Sequence, residues 1–252
     1  MNVTDRHILI LKTIAASGRA TIAELSSRLH VSEMTIRRDL DTLEQEGSLR
    51  RVHGGAVRAS SSSFEPPFSV RMRENAEAKL RIAQAISESI SDGETVLLDG
   101  GSTGLAIAEA LVTRELTVCT LSLRAATVLA ASSSINLLLP GGFVRRNELS
   151  FIGPPVLRTL QDYRFDVFVL TTSGITARAG LTEWNVEDAA VKRAGIDVAE
   201  RKVVACDASK FGQVAFGRVC DLDQLDLIVS DANLAQNERT TIAAAGGLLK
   251  IA

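Results

Sequence analysis

From Glu94 onward, short apolar segments alternate regularly with helical stretches, and this alternation constrains the fold more than any other feature. The predicted strands are residues 95–98, 116–120, 135–139, 166–170, 202–205 and 225–229, and the predicted helices are residues 105–111, 124–131, 155–161 and 186–199. Repeated strand and helix are typical of an α/β domain with a mostly parallel sheet that helices cover on both faces. Ligands of such sheets bind beyond the carboxyl ends of the strands, so the loops there are the candidate binding site.

The composition indicates a globular protein with an aliphatic core. The chain has 252 residues, of which 46% are hydrophobic, 23% charged and 4% aromatic, which suits a small domain followed by a medium one. No apolar run is long enough for a membrane span, and Asp5, Arg6 and Lys12 interrupt the N-terminal segment where a signal peptide would be apolar. These features predict a cytoplasmic protein with no membrane partner.

The cysteines argue against a metal-binding protein, and the net charge argues against a nonspecific nucleic-acid-binding protein. Cys119, Cys206 and Cys220 are odd in number and far apart, so we expect buried thiols and no metal site. The formal charge of −2 does not suit a protein that binds nucleic acid nonspecifically, because such binding depends on neutralising phosphates.

The first sixty residues carry three successive helix signals. An apolar run at helical spacing stops at Ser17-Gly18, and Thr21 with Glu24 forms the pattern of a capping box. Ser32 suits the N-cap of a third helix. We expect the buried stripe of that helix to comprise Met34, Ile36, Leu40 and Leu43. Two short capped helices joined by a turn are typical of a helix-turn-helix.

Polar groups on the third helix and on the segment after it favour DNA binding. Arginine can bond guanine O6 and N7, and threonine can contact a thymine methyl or a phosphate. Residues 48–57 alternate and turn at Gly54-Gly55, which predicts a β-wing whose basic side chains would reach phosphates or a minor groove. The alternative is a three-helix scaffold with a solvated, arginine-rich face.

A serine run and a proline pair in residues 59–68 are typical of a linker. We therefore predict a winged helix-turn-helix domain over residues 1–58, a linker over residues 59–70 and an α/β domain over residues 71–252. The α/β domain would begin with a charged helix over residues 71–90.

The first domain resembles the DNA-binding head of the DeoR family of bacterial regulators. The resemblance is carried by Arg6-His7-x-x-Ile10-Leu11, Ala23-Glu24-Leu25, Val31-Ser32-x-x-Thr35-Ile36-Arg37-Arg38-Asp39-Leu40, Leu43-x-x-x-Gly47 and His53-Gly54-Gly55-Ala56. It implies a helix-turn-helix over residues 20–39, with Thr35, Arg37 and Arg38 on bases and phosphates. The residues so predicted to contact DNA, wing included, are Thr21, Ser32, Thr35, Ile36, Arg37, Arg38, Arg50, Arg51 and His53.

Polar or glycine-rich loops follow several predicted strands. Residues 99–103 follow the first strand and open a helix, so glycines, hydroxyls and helical N–H groups could together hold a phosphate. Lys210 lies beyond a later strand and could clamp an anion. A plain strand-to-helix turn and an ordinary surface lysine remain the alternatives.

These loops continue the resemblance. Residues 99–103 look like the family's Asp-x-Gly-Thr-Thr sensor loop, and residues 207–211 look like its C-terminal signature. Leu121 departs from the pattern, because the family often has asparagine there. The domain is also similar to ribose-5-phosphate isomerase and CoA-transferase-like folds, which implies a phosphorylated sugar as effector. The predicted effector-binding residues are Asp99, Gly100, Gly101, Ser102, Thr103, Gly141, Gly142, Glu187, Lys192 and Lys210.

The sequence thus predicts a homo-oligomeric repressor, dimer or tetramer, of a carbohydrate-metabolism operon. A phosphorylated sugar would release it from a double-stranded DNA operator, and we expect no catalytic residue and no cofactor. The alternative is a sugar-phosphate isomerase-like enzyme with an accessory DNA-binding head, in which Asp99, Glu183 or Glu187 could act as base. An enzyme would not need a recognition helix, which favours the regulator.

Overall fold

The computed structural model describes residues 1–45, 48–58 and 65–252, and these form two compact units, Met1–Glu74 and Asn75–Ala252. Residues 59–64, the first half of the predicted linker, and Gly47 of the head motif lie outside the described residues. No helix within those residues is long and apolar enough to cross a membrane.

The first unit is a helical head with a small antiparallel sheet. Its described elements are α1 (Val3–Ser17), β1 (Arg19–Thr21), α2 (Ile22–Leu29), α3 (Glu33–Gln45), β2 (Leu49–Val52), β3 (Gly55–Arg58) and α4 (Phe68–Arg73). The sheet has the order β1-β3-β2, so the predicted wing is confirmed as the β2–β3 hairpin. A Cβ atom at Gly55 would lie 2.2 Å from the carbonyl oxygen of Ala20, so only glycine allows β3 to pair with β1.

The core of the head is aliphatic, and the prediction that Met34 is buried in it is wrong. Ile36, Leu40 and Leu43 on α3 are fully buried, whereas Met34 is 59% exposed. The buried residues follow i, i+4 and i+7 spacing, and Met34 lies two positions before Ile36, on the opposite side of a helix with 3.6 residues per turn. Met34 therefore belongs to the solvent-facing side of α3.

The second unit is an α/β domain. Its strands are β4 (Thr95–Leu98), β5 (Leu116–Thr120), β6 (Ile135–Leu138), β7 (Phe143–Val144), β8 (Phe151–Ile152), β9 (Phe165–Leu170), β10 (Gly174–Thr176), β11 (Gly180–Glu183), β12 (Ala199–Ala205), β13 (Gly217–Cys220), β14 (Leu227–Ser230) and β15 (Leu249–Ile251). Its helices are α5 (Ala76–Ser89), α6 (Gly101–Leu111), α7 (Leu123–Leu129), α8 (Pro154–Gln161), α9 (Val186–Asp197) and α10 (Gln236–Ala244).

A seven-stranded parallel sheet organises this unit, as the strand and helix pattern predicts. The strand order is β15-β14-β12-β9-β4-β5-β6. The chain starts in the middle at β4, builds outward through β5 and β6, and then returns to β9 on the other side of β4. This reversal opens a crevice beyond the carboxyl ends of β4 and β9, where sheets of this kind bind ligands.

Apolar clusters cover both faces of the sheet. Leu97 belongs to one cluster, whereas Val96 and Leu98 belong to the other, because successive side chains of a strand point to opposite faces. A smaller antiparallel sheet, β10-β11-β13, and the β7–β8 hairpin accompany it and are not predicted from the sequence. The predicted helix over residues 71–90 is instead two helices, α4 and α5, separated at Asn75, which has a positive φ of 52°.

Candidate functional site

The two predicted N-caps of the head are made as the sequence indicates. The N–H of Glu24 donates to the Thr21 hydroxyl (3.2 Å), and the Glu24 carboxylate accepts the Thr21 N–H (2.8 Å). At the start of α3, the Thr35 N–H donates to the Ser32 hydroxyl (3.2 Å), which also lies 2.9 Å from the Thr35 hydroxyl. The turn between α2 and α3 passes through His30 in a left-handed conformation. These caps fix where both helices of the helix-turn-helix begin.

The solvent-facing side of α3 carries two of the predicted contact residues. Arg37 and Arg38 are exposed, and Thr35 is half-buried. Arg37 makes an ion pair with Glu33 (3.3 Å). Both side chains are exposed, and ion pairs in water contribute little to stability. Within the described part of the chain the guanidinium of Arg38 has no ion-pair partner, so it is available to a ligand.

Ile36 is not on that side, and its prediction as a DNA contact is wrong. Its side chain is fully buried in the core of the head together with Leu40. Its place within the family motif reflects packing, because a residue on the core face of α3 cannot reach a groove.

Two of the basic residues on the wing are exposed to solvent, and the third contacts acidic side chains of α3. Arg50 and His53 are exposed. The N–H of Arg51 donates to Glu44 (2.7 Å), and its guanidinium lies 3.7 Å from the Asp41 carboxylate. Arg51 therefore joins β2 to α3, in contrast to its two neighbours on the wing.

A buried ion cluster fixes α3 against α1. Asp39 accepts hydrogen bonds from Arg6 Nε (2.5 Å) and Nη2 (2.9 Å), and His7 Nε2 lies 3.1 Å from the same carboxylate. The hydrogen bonds that Arg6 donates to Asp39 raise the pKa of Arg6, although burial opposes this shift. Arg6 and Asp39 are 8% and 5% exposed, so this bidentate pair is shielded from water.

In the second unit, Lys192 on α9 is the centre of a buried cluster of charges. Its ammonium lies 2.9 Å from Asp99 Oδ2, donates to the Thr171 carbonyl oxygen (2.8 Å) and contacts Glu183 Oε2. Asp99 follows β4, Thr171 follows β9 and Glu183 ends β11, so the cluster lies at the crevice between β4 and β9. Three acceptors match the three hydrogens of an ammonium group.

Lys192 consequently supports the loop and is not a free ligand group, contrary to its predicted direct contact with the effector. Burial disfavours the charged ammonium, but Asp99 and Glu183 raise the pKa of Lys192 above its usual value. Burial likewise opposes ionisation of Glu183, but Lys192, the Ser173 hydroxyl and the Trp184 N–H together lower its pKa. Lys192 and Glu183 are thus ionised and engaged with each other.

Asp99 joins the predicted sensor loop to this cluster. Asp99 accepts the Gly100 N–H (2.7 Å) with Oδ1, and the Thr171 N–H and hydroxyl (both 2.9 Å) with Oδ2. α6 begins directly after Gly100 and has no side-chain cap, so its first N–H groups are available to an anion. A Cβ at Gly104 would lie 2.4 Å from the Asp99 carbonyl oxygen, so glycine is required for this tight turn.

Lys210 lies at the same end of the sheet as the sensor loop. Its ammonium is 5.1 Å from the centre of the Trp184 ring, and Trp184 directly follows Glu183 of the buried cluster. Its loop follows β12, which is two strands from β4, or about 10 Å at the usual strand spacing. The two loops and the cluster therefore border one region.

Two further predicted groups do not join this cluster. Gly141 and Gly142 follow the edge strand β6 with positive φ, and a Cβ at Gly142 would lie 2.6 Å from Val156, which explains that glycine by packing. Glu187 is exposed on the first turn of α9, and no contact of the described residues joins it to Lys192. Leu121, at the departure from the family pattern, is buried, and Ser122 is the polar side chain beside Gly100.

Sequence reasoning missed Thr171 and Trp184, and it named Glu183 only as a possible base of the isomerase-like alternative, not as a partner of Lys192. Glu183 directly follows the motif Gly180-Leu181-Thr182, and together these residues form β11 of the smaller antiparallel sheet. Thr171 directly follows a predicted strand and could have been found from that position.

The three cysteines are buried, as expected. Burial raises the pKa of Cys119 to about 12 and that of Cys220 to about 11, so these thiols stay protonated and unreactive near neutral pH. Among the described residues there is no group of histidine, cysteine and carboxylate side chains that could hold a metal ion.

Comparison with known proteins covers both units. Residues 6–62 match the model of the DeoR-like helix-turn-helix domain, and residues 74–232 match that of the DeoR C terminal sensor domain. The chain is 34% identical to the uncharacterized HTH-type transcriptional regulator FruR of Bacillus subtilis and 33% identical to the glycerol-3-phosphate regulon repressor of Escherichia coli, each match covering 92% of both chains. It is 30% identical to a putative aga operon transcriptional repressor of E. coli O157:H7, over 96% of this chain and 91% of the relative. Among solved structures it is similar to ribose 5-phosphate isomerase A of Methanocaldococcus jannaschii, with 17% identity, 56% of each chain covered and a TM-score of 0.42.

Proposed function

The chain belongs to the DeoR family of transcriptional regulators, and from this premise we propose that it is a cytoplasmic repressor of a carbohydrate operon, released from DNA by a phosphorylated sugar. Relatives named as repressors of the glycerol-3-phosphate regulon and of the aga operon support this function. The observation that carries the proposal is the pairing of an arginine-bearing recognition helix in one unit with an open, uncapped anion loop in the other.

DNA is held by the solvent-facing side of α3 and by the wing. The second helix of a helix-turn-helix enters the major groove, where Arg38 can bond a guanine edge and Thr35 can contact a phosphate or a thymine methyl. Met34 adds an apolar group to the same side. Arg50 and His53 reach the phosphate backbone, and the caps at Thr21 and Ser32 orient the helices. Because one short helix makes a small contact, the protein binds as a dimer or a larger oligomer on paired half-sites.

Replacing Arg38 with alanine tests the DNA surface. We expect Arg38→Ala to weaken binding to an operator selected from a random duplex library by roughly 5- to 150-fold, because a bidentate contact to a base is lost. Fluorescence anisotropy at fixed salt measures the change. Arg81→Ala, which removes an exposed arginine of α5 and the same charge, is the control. Equal affinities of the two variants would remove Arg38 from the interface.

The effector's phosphate binds between the sensor loop and Lys210. The free N–H groups at the start of α6 and the hydroxyls of Ser102 and Thr103 surround an anion without adding charge. Lys210 supplies the compensating cation, since Lys192 is already neutralised by Asp99 and Glu183. A sugar phosphate suits this arrangement, because its hydroxyls can bond the polar loops around the crevice while its phosphate occupies the cradle.

Replacing Lys210 tests the effector site. Lys210→Ala is expected to keep operator affinity while raising the concentration of sugar phosphate needed for release by at least about tenfold, because a charge-assisted contact is lost. Titration of the operator complex with glycerol 3-phosphate, fructose 1-phosphate and fructose 6-phosphate measures it. Lys202→Ala is the control, since Lys202 lies on β12, the strand before the Lys210 loop, and pairs with Asp226 (3.4 Å) away from the loops. An unchanged response would exclude Lys210 from the pocket.

The same geometry disfavours isomerase chemistry. A general base works best with a pKa near the operating pH, but Glu183 has a lowered pKa and its oxygens accept from Lys192, Ser173 and the Trp184 N–H. Asp99 is engaged by Lys192 and Thr171. Two of the three candidate bases, Asp99 and Glu183, therefore hold the loop in place through Lys192. The third, Glu187, makes no contact with this cluster in the part of the chain that the structure describes.

A further inference from the structure

Asn75, the first residue of the second unit, is held in an unusual backbone conformation. Its φ and ψ of 52° and 35° lie in the left-handed region, which asparagine tolerates but does not favour over right-handed or extended conformations. Asn75 precedes α5 directly, yet its side chain does not cap that helix. The conformation therefore requires another stabilising contact.

That contact comes from the loop that carries Lys210. The Asn75 Nδ2–H donates to Asp207 Oδ1 (2.8 Å), across 132 residues of sequence. The same oxygen accepts the Ser209 N–H (3.0 Å), so Asp207 joins the backbone of the Lys210 loop to Asn75. Burial opposes ionisation of Asp207, but Lys210, the Ser209 hydrogen bonds and Lys79 lower its pKa, so the hydrogen bond from Asn75 meets a carboxylate.

We propose that Asn75 is a positioning residue that passes effector occupancy at the Lys210 loop to the chain leading into the DNA-binding unit. When the effector's phosphate attracts Lys210, the charge balance of Asp207 and the position of its loop change. Asn75 then loses or shifts the hydrogen bond that maintains its left-handed backbone, and the chain direction at this joint changes with it. Coupling between separate sites requires an element with two discrete states, and the proposed switch supplies them as the left-handed backbone of Asn75 with the hydrogen bond and a second conformation without it.

This inference rests on the proposed function, and it predicts a separation of binding from coupling. Asn75→Gly removes the side chain while leaving the left-handed conformation accessible. We expect its operator affinity and its affinity for the releasing sugar phosphate each to stay within about threefold of wild type. Effector-induced loss of operator affinity, typically 5- to 150-fold in allosteric proteins, should fall to nearly onefold.

Two variants control the experiment. Asn147→Gly replaces another asparagine with positive φ (68°), on an exposed loop of the same unit, and should keep wild-type coupling. Asn75→Asp keeps the shape of the side chain but sets a carboxylate against Asp207, so it should uncouple the sites even if Asn75→Gly folds poorly. Thermal unfolding of each full-length variant establishes that it is folded.

The outcomes distinguish the inference from the proposed function. If wild type and Asn75→Gly are released equally well by the same sugar phosphate, the role of Asn75 is refuted and the proposed function stands. A more than tenfold loss of operator or effector affinity in both Asn75 variants would make the residue structural and also refute the inference. If no sugar phosphate of the panel releases wild type, the effector assignment fails and the inference fails with it.

Discussion

Replacing Lys192 with methionine is expected to destabilise the second unit by about 3–5 kcal/mol, because it leaves two buried carboxylates without their shared cation. Asp99 and Glu183 are 5% and 7% exposed, so water cannot take the place of the ammonium. Methionine fills most of the lysine volume, and the loss therefore reports charge and hydrogen bonding more than a cavity.

Trp184 makes this measurement direct. It is the only tryptophan of the chain and follows Glu183, so its fluorescence during urea unfolding reports on the second unit. Lys202→Met is the matched control, because Lys202 pairs with a half-exposed Asp226 and should cost less than about 1 kcal/mol. If Lys192→Met unfolds at the same urea concentration as this control, Lys192 is not the support of the sensor loop.

Asp39→Ala should cost the first unit about 3–5 kcal/mol, since it leaves the buried guanidinium of Arg6 unpaired. The Arg6–Asp39 pair joins α1 to α3. We therefore expect α3 to lose its fixed position and operator binding to fall with stability, even though Asp39 faces the core side of the helix and not the groove.

Hydrogen exchange of the full-length protein measures this second effect, because amides of α1 and α3 report the first unit separately. Asp41→Ala, two positions along α3, is the control: Asp41 is exposed and its pair with Arg51 is loose at 3.7 Å. Protection of α1 unchanged by Asp39→Ala, or lowered equally by Asp41→Ala, would contradict a specific role for the buried pair.

Local patterns in the sequence were sufficient for most of the regular structure. The Thr21–Glu24 capping box forms as predicted because its partners are three residues apart and need only a helix start. β4 and β5 have the predicted bounds, since buried parallel strands are short continuous apolar runs. The prediction that Met34 is buried is wrong because apolar character alone does not determine which face of a helix a residue lies on.

The charge cluster could not be predicted from the sequence, because its members are joined only by the fold. Asp99, Glu183 and Lys192 come from three elements that meet where the strand order reverses. The loop residue Asp99 was correctly predicted to lie at this end of the sheet, but its engagement with Lys192 depends on where α9 packs. The same holds for Asn75 and Asp207, which no local pattern relates.

We propose that DNA binding and sugar-phosphate binding are linked equilibria on one chain, and the reciprocity of the two effects tests this linkage most directly. The affinity of the releasing sugar phosphate is measured by isothermal titration calorimetry with free protein and with protein saturated by its operator duplex. Linkage predicts that the operator weakens sugar-phosphate binding by the same factor by which the sugar phosphate weakens operator binding, about 5- to 150-fold. Equal sugar-phosphate affinities in the two titrations would contradict the account.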